Sequence, residues 1–321
     1  DLEDNNENNE SNNELVETPI IEYNFFDELD SDILTKYFDN SKNIKSNVIK
    51  NEYFNYLANI TLDLKNKENS KTLYLIIKYF YEIGNISKAY NLINSIDLQD
   101  NENKSFYKLI ELNYLLSTFQ LEEVCSLNDE LALENIYKNF ILEKTDIFCL
   151  ALKDNLSEAD LLNSILLDTE VKTDQNFQNL YDIIINKNNN KKFDDIFVDA
   201  INRDLIFLYT AMSRIVEIPL NESFYEVDKN NLSIPIILNQ ATPISLRIKA
   251  ANNSFLENNL NVDSLAALYQ SVDFAASQLN NPEKTIKEFG NNKELLIAYY
   301  YQLINIQIFP SERIEALINF W

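Results

Sequence analysis

Carboxylate pairs are the side chains of this sequence that could do acid–base chemistry. Acids stand side by side at Glu122 and Glu123 and at Asp194 and Asp195. A third acidic group consists of Asp27, Glu28 and Asp30. Two carboxyl groups can act as the acid and the base of glycoside hydrolysis. With 51 acidic residues in the chain, however, adjacent acids are expected by chance, and no aromatic or glycine pattern marks any pair as a cleft. We therefore predict no catalytic residues.

Missing residue types exclude other chemistries. The chain has no histidine, which removes His-based triads, a His general base and His metal ligands. It has two glycines, Gly84 and Gly290, so glycine-rich phosphate loops and dinucleotide fingerprints are absent. Asp30 and Asp32 lack the glycine and distal glutamate of a helix–loop–helix calcium site. The sequence predicts neither a metal site nor a cofactor.

The two cysteines, Cys125 and Cys149, are too few for a disulfide framework, and their spacing is not that of a metal motif. The interpretation we favour is that both are reduced and pack as small apolar residues. A single bridge is the alternative if the protein is exported. The sequence begins at Asp1 without an initiator methionine, as after signal-peptide removal or trimming. Location is left open, with a lean towards the periplasm.

The charge balance limits the partners. Twenty-seven basic and 51 acidic residues give a formal charge of −24, which repels a phosphate backbone and an anionic membrane. The most apolar uncharged run, residues 295–311, is shorter than the roughly 20 residues of a bilayer span and carries several amides, which is typical of a buried helix. We expect no nucleic acid, no membrane insertion, and a protein or peptide partner; the oligomeric state is left open.

Composition divides the chain into four parts. Residues 1–20 are rich in asparagine and acids and predict a disordered leader. Residues 21–215 predict a helical-hairpin repeat domain, because they contain no proline and are interrupted only by short polar turns. Residues 216–245 predict an irregular connector marked by prolines, within which 233–238 (SIPIIL) reads as extended. Residues 246–321 predict further helical hairpins.

An internal repeat is the strongest signal. A shift of 35 residues aligns three successive windows at six apolar positions, with a polar amide (Asn85, Gln120 or Asn155) between the two halves of each window. Steps of three and four between the apolar positions are helical, and a step of six crosses a turn. Each copy therefore predicts a helix–turn–helix hairpin. The triplets are Ile77/Leu112/Ile147, Phe80/Leu115/Leu150, Ile86/Leu121/Leu156, Ala89/Val124/Ala159, Leu92/Leu127/Leu162 and Ile96/Leu131/Leu166.

The first copy resembles a tetratricopeptide repeat; the second and third copies fit only at the turn and at Val124 or Ala159, so the resemblance covers roughly residues 70–170. The matching residues are Leu73, Ile76, Phe80, Gly84, Ile86, Ala89 and Ile93. Ile77 stands where that motif has a small residue, and the closing proline is missing. The fold predicted is all-α, a superhelical array of antiparallel helix hairpins, a solenoid similar to those built by tetratricopeptide repeats.

A second resemblance concerns the end of the chain. Residues 262–274 (VDSLAALYQSVDF), the dipeptide at 281–282 (NP) and residues 313–321 (RIEALINFW) are similar to the end of an uncharacterised helical-repeat family of alphaproteobacteria. That resemblance implies export behind a low-complexity leader and implies no activity.

The tetratricopeptide resemblance implies a binding groove, since the first helix of each hairpin lines the concave face in such arrays. The positions it places there are Lys78, Tyr81, Asn113, Leu116, Phe148 and Ala151. Apolar and amide side chains in one strip suit an extended or helical peptide. The alternative is that these residues pack against the next hairpin.

The function predicted is a non-enzymatic protein–protein interaction scaffold or adaptor. Two alternatives come from other classes. An α-helical hydrolase of a polymer such as a glycan would need two carboxylates about 5–10 Å apart with a raised pKa. An oligomerising structural protein would pair its apolar C-terminal helices between copies.

Overall fold

The computed structural model describes residues 26, 29–60, 67–96, 101–134, 140–187 and 192–320. Every regular element in these ranges is helical, so the all-α prediction is confirmed. The predicted leader, residues 1–20, lies outside the described residues. None of the described helices is long and apolar enough to cross a membrane.

Nineteen α-helices and a 3-10 turn at Arg203–Leu205 make up the described fold. The helices are α1 (Ser31–Ser41), α2 (Asn47–Asn59), α3 (Lys67–Glu82), α4 (Ile86–Ile93), α5 (Lys104–Thr118), α6 (Leu121–Glu134), α7 (Ile141–Leu152), α8 (Leu156–Thr169), α9 (Gln175–Asn186), α10 (Phe193–Ile196), α11 (Ile206–Ile215), α12 (Glu222–Tyr225), α13 (Lys229–Leu238), α14 (Ile244–Leu256), α15 (Val262–Gln270), α16 (Ala276–Leu279), α17 (Pro282–Phe289), α18 (Lys293–Ile306) and α19 (Pro310–Phe320).

The chain divides into two compact units, Asp1–Leu73 and Tyr74–Trp321, and the division falls within α3. In the first unit Asp30 caps α1: its carboxylate accepts the N–H groups of Asp32 and Ile33 at 2.9 and 3.0 Å. The hydrogen bond from the Ile33 N–H, followed by the weaker effect of the one from the Asp32 N–H, keeps the pKa of Asp30 below its ordinary value. The core of this unit is aromatic, with the ring of Phe26 centred 5.3 Å from that of Phe38.

The second unit contains the 35-residue repeat in the predicted register. The three turns use the same geometry, with a left-handed residue at Gly84, Phe119 and Asp154 (φ 84°, 67° and 54°). The N–H of the following residue donates to the carbonyl five positions earlier, at 2.8, 2.9 and 3.0 Å in the three copies. All eighteen apolar repeat positions are buried or half-buried. Each copy therefore has two helices joined by a turn at the position that the repeat predicts.

The second unit departs from a strictly linear array, in which each repeat contacts only its neighbours. Helix α5 packs against α6, but also against α11 and α13, which come much later in the chain. The side-chain amide of Asn85 donates to the carbonyl of Asn258 at 3.4 Å. A Cβ on Gly84 would overlap the backbone of Asn230. Later helices thus cover one side of the first hairpins.

The prediction of an extended segment at residues 233–238 is wrong, because these residues end helix α13 with Pro235 inside it. The Asp228 carboxylate caps this helix by accepting the Asn231 N–H at 3.2 Å. Pro235 forfeits one backbone hydrogen bond, but α13 packs against α5, α11 and α14, and that packing outweighs the loss. Helix α13 therefore joins the parts of the chain on either side of it.

Candidate interaction site

The structure buries four of the six predicted groove residues: Asn113, Leu116, Phe148 and Ala151. Helix α5 is covered by α11 and α13, and α7 is covered by α6, α8 and α9. No partner can reach these four side chains in the folded chain. They pack internally, which was the alternative to a groove.

The other two groove positions are partly exposed. The ammonium of Lys78 lies 3.9 Å from the carboxylate of Glu82 on the same helix. The Tyr81 hydroxyl accepts a hydrogen bond from the Asn113 amide at 3.0 Å, so the structure does bring this pair together. Burial raises the pKa of Tyr81 to about 12, against the opposing effect of that hydrogen bond. The six residues do not form one exposed surface.

A buried ionic cluster lies one turn from Phe148, and the sequence analysis missed it. The ammonium of Lys144 contacts the carboxylates of Glu170 at 2.6 Å and Asp174 at 2.9 Å. The Tyr209 hydroxyl donates to Asp174 at 2.7 Å. The other Asp174 oxygen accepts the Phe177 N–H at 3.1 Å and caps α9. No spacing in the sequence reveals it, because Lys144 stands beside Glu143, Thr145 and Asp146 in the polar first half of α7.

This ionic cluster is closed to ligands. The side chains of Lys144, Glu170 and Asp174 are 3%, 6% and 11% exposed, so the opposite charges satisfy one another away from water. Burial and the Asp174 carboxylate raise the pKa of Tyr209 far above its ordinary value. The Tyr209 hydroxyl therefore keeps its proton and donates it in the hydrogen bond to Asp174. The arrangement ties α7, α9 and α11 together and offers no reacting group to a substrate.

The cysteines form a disulfide, so the interpretation of two reduced thiols is wrong. Helices α6 and α7 pack together and bring the Cα atoms of Cys125 and Cys149 to 5.6 Å, although the two cysteines are 24 positions apart in the sequence. Both cysteines are buried. An open groove of about 490 Å³, the disulfide groove, lies beside the bond. Its lining is Leu121, Glu122, Cys125, Ser126, Asp129, Leu152 and Lys153.

Two carboxylates, Glu122 and Asp129, line the disulfide groove, and Asp146 lies near Asp129. Burial raises the pKa of Asp146, and the charges of Asp129 and Glu158 raise it further. Among the described residues, no group of three or more His, Cys, Asp or Glu side chains could hold a metal ion.

Two of the other acid groups have local structural roles. The Asp195 carboxylate accepts the Lys192 N–H at 3.0 Å at the start of α10, and Asp30 caps α1 as described above. Asp27 and Glu28 lie outside the described residues. These contacts explain Asp30 and Asp195, whose carboxylates satisfy N–H groups that are unpaired at the start of a helix.

A second groove, the C-terminal groove, opens between α17, α18 and α19 and measures about 420 Å³. Its apolar part is formed by Ile286, Tyr300, Leu303 and Ala316, and the last three belong to the cluster of buried residues that joins α18 to α19. Its acidic part is formed by Glu283, Glu312 and Glu315, all exposed. Pro282 and Gln307 complete the lining. An apolar floor beside carboxylates can bind an apolar side chain and a cation together.

Exposed apolar side chains also lie along the C-terminal hairpin, and those on α19 point away from the groove. Ile314, Leu317 and Ile318 follow helical spacing on α19 and are 56%, 43% and 69% exposed. Ile308 and Phe309, between α18 and α19, are 82% and 62% exposed. We call these five residues the apolar stripe. Clustered exposure of this kind is typical of an interaction surface.

No protein-family model, curated protein or solved structure matches this chain. The resemblances to tetratricopeptide repeats and to the alphaproteobacterial family therefore stay predictions from the residues that carry them. Function has to be inferred from the geometry of the chain itself.

Proposed function

We propose that this protein is a non-enzymatic scaffold that binds a protein partner, with stacked helix hairpins over α3–α8 as a solenoid-like support. The apolar stripe is the observation that carries the proposal. Five large apolar side chains within eleven residues are exposed to water there. Burying such surface against a partner contributes about 25 cal/mol per Å² of apolar area, which favours association.

The position of this surface differs from that predicted from the sequence. The early hairpins are covered by α11 and α13, and four of their groove positions are buried. The late hairpins, by contrast, leave apolar side chains uncovered. We therefore assign partner binding to the C-terminal hairpin in place of the concave face of the first repeats.

Site-specific photo-crosslinking in the native cells tests this function. A photoreactive residue at Leu317 should give a covalent adduct with another protein, because this side chain lies in the apolar stripe. The matched control is the same residue at Leu161, which is 61% exposed on α8 and lies outside the stripe. Equal adducts from both positions, or none from either, would contradict the proposal.

One observation favours the hydrolase alternative. Asp146 has a raised pKa and lies near Asp129, which lines the disulfide groove. A hydrolase that uses this carboxyl would lose its activity in Asp146→Asn. The scaffold predicts that Asp146→Asn leaves partner capture at Leu317 unchanged, so the two readouts separate the functions.

The apolar stripe also favours the structural oligomer, in which α19 pairs with α19 of a second copy. Light scattering at several protein concentrations distinguishes this case. The scaffold predicts a monomer throughout. An oligomer that Leu317→Lys dissociates would support the alternative.

A further inference from the structure

We propose that the C-terminal groove binds a basic amphipathic helix of a partner protein. The inference rests on the proposed scaffold function and adds the chemistry of the partner. A helix binding in a groove inserts apolar side chains spaced three, four and seven residues apart. Leu303, Tyr300 and Ala316 give such side chains a nearly buried apolar floor to contact.

The charges around the groove determine which charged side chains of the partner helix can lie beside its apolar ones. No carboxylate of the lining, Glu283, Glu312 or Glu315, has an ion-pair partner among the described residues. The neighbouring cations are Lys284, Lys287 and Arg313. None of these cations lines the groove.

Two of these neighbouring cations have contacts of their own. Lys284 lies 3.5 Å from the carboxylate of Glu288, and Arg313 donates to the carbonyl of Gln307 at 2.8 Å. Lysine or arginine side chains of a partner would therefore meet three carboxylates that the chain leaves available. Opposite charges across an interface speed association and select the partner.

Net charge decides between this occupant and two others. A second copy of the chain also carries −24, so self-association at an acidic groove brings like charges together. An anionic membrane surface is repelled for the same reason. A cationic helix is attracted by the three carboxylates and by the rest of the molecule, and its apolar face covers the floor of the groove.

The apolar stripe lies on the other side of α19 from the groove. Glu312, Glu315 and Ala316 line the groove, whereas Ile314, Leu317 and Ile318 are exposed and, at about 100° per residue, point to the opposite face of the helix. The groove and the stripe are therefore two surfaces, and the basic helix is assigned to the groove alone.

The test uses the full chain and a labelled synthetic peptide of roughly 18 residues, five helical turns, in which leucines form one stripe and lysines flank it. We expect fluorescence anisotropy to give a dissociation constant on the order of 10 μM at physiological salt. Two control peptides are matched to it. One has the same composition in an order that breaks the stripe, and the other has glutamate in place of lysine.

Two triple variants then locate the site. Glu283→Gln, Glu312→Gln and Glu315→Gln together should weaken binding about tenfold, because they remove the three groove charges. The control combines Glu122→Gln, Glu123→Gln and Glu158→Gln. It removes the same number of negative charges from helices outside the groove, so the dissociation constant should change less than about twofold.

Three outcomes would overturn the proposal. Equal weakening by both triple variants would mean that the peptide senses only the overall charge. Equal binding of the peptide with the broken stripe would mean that the apolar floor has no role. Binding of the lysine peptide no tighter than that of the glutamate peptide would remove this groove, whereas partner adducts at Leu317 would still support the scaffold function, so the two proposals fail separately.

Discussion

In the described part of the chain, charges are paired in the ionic cluster around Lys144 and are left unpaired in the C-terminal groove. In the cluster, one ammonium faces two carboxylates within 3 Å, and a tyrosine hydroxyl satisfies one of them further. In the groove, three carboxylates face no cation among the described residues. Buried charges must be matched within the chain, whereas exposed charges are matched by water or by a partner. The first region holds the fold together, and the second is suited to binding.

The two glycines show the same contrast. Gly84 lies in a turn against the backbone of Asn230, with no room for a Cβ. Gly290 also has a positive φ, but nothing lies within 4 Å of the position that its Cβ would take. Dense packing in the repeat and open packing near the C-terminal groove follow from which helices cover each turn.

The largest effect expected is that of Lys144→Met. This change keeps the length of the side chain but leaves Glu170 and Asp174 buried without a cation, so the free energy of unfolding should fall by about 3–5 kcal/mol. Urea denaturation followed by circular dichroism measures it. In the control, Lys284→Met removes an exposed partner of Glu288 and should cost less than about 0.5 kcal/mol. Equal losses would erase the contrast between buried and exposed pairs.

A smaller difference is expected between the glycines. Gly84→Ala adds overlap with Asn230 to the strain of a positive φ and should lower the free energy of unfolding by about 3 kcal/mol. Gly290→Ala adds only the backbone strain of a φ of 56° with a ψ of −116°, about 2 kcal/mol. Thermal and urea unfolding of the two variants side by side would test this. A larger loss at Gly290 would show that the C-terminal hairpin is packed more tightly than the repeat.

The smallest effect is a gain at the third repeat turn. Asp154 takes the left-handed position that Gly84 takes in the first turn, and it is exposed. Asp154→Gly should raise the free energy of unfolding by about 0.5–1 kcal/mol, because glycine adopts a positive φ without steric cost. Asp154→Ala, which retains a Cβ, serves as the control and should give no gain. A loss in the glycine variant would mean that the aspartate side chain stabilises the turn.

The local parts of the fold were predictable from the sequence. Apolar spacing and the polar turn residues located the three hairpins, because a helix and its turn are determined by residues a few positions apart. Even the left-handed residue before Gln120 fits the shared register, although there it is a phenylalanine, Phe119.

The long-range contacts were not predictable in this way. Lys144, Asp174 and Tyr209 meet although they belong to three separate helical segments, and no spacing rule connects them. Packing of α13 on α5 and α11 made a helix of residues around Pro235, where local preferences favoured an extended chain. The same packing buried Leu116, which the resemblance had placed in a groove. Tertiary contacts overrode local preference at each of these places.

The disulfide changes what cleavage of the chain can release. Residues 126–148 lie inside a covalent ring closed by Cys125 and Cys149. A single peptide bond hydrolysed within that ring leaves both fragments in one molecule, and they separate only after reduction. Under oxidising conditions α6 and α7 therefore remain joined after such a cut, and the hairpins on either side stay tethered to each other.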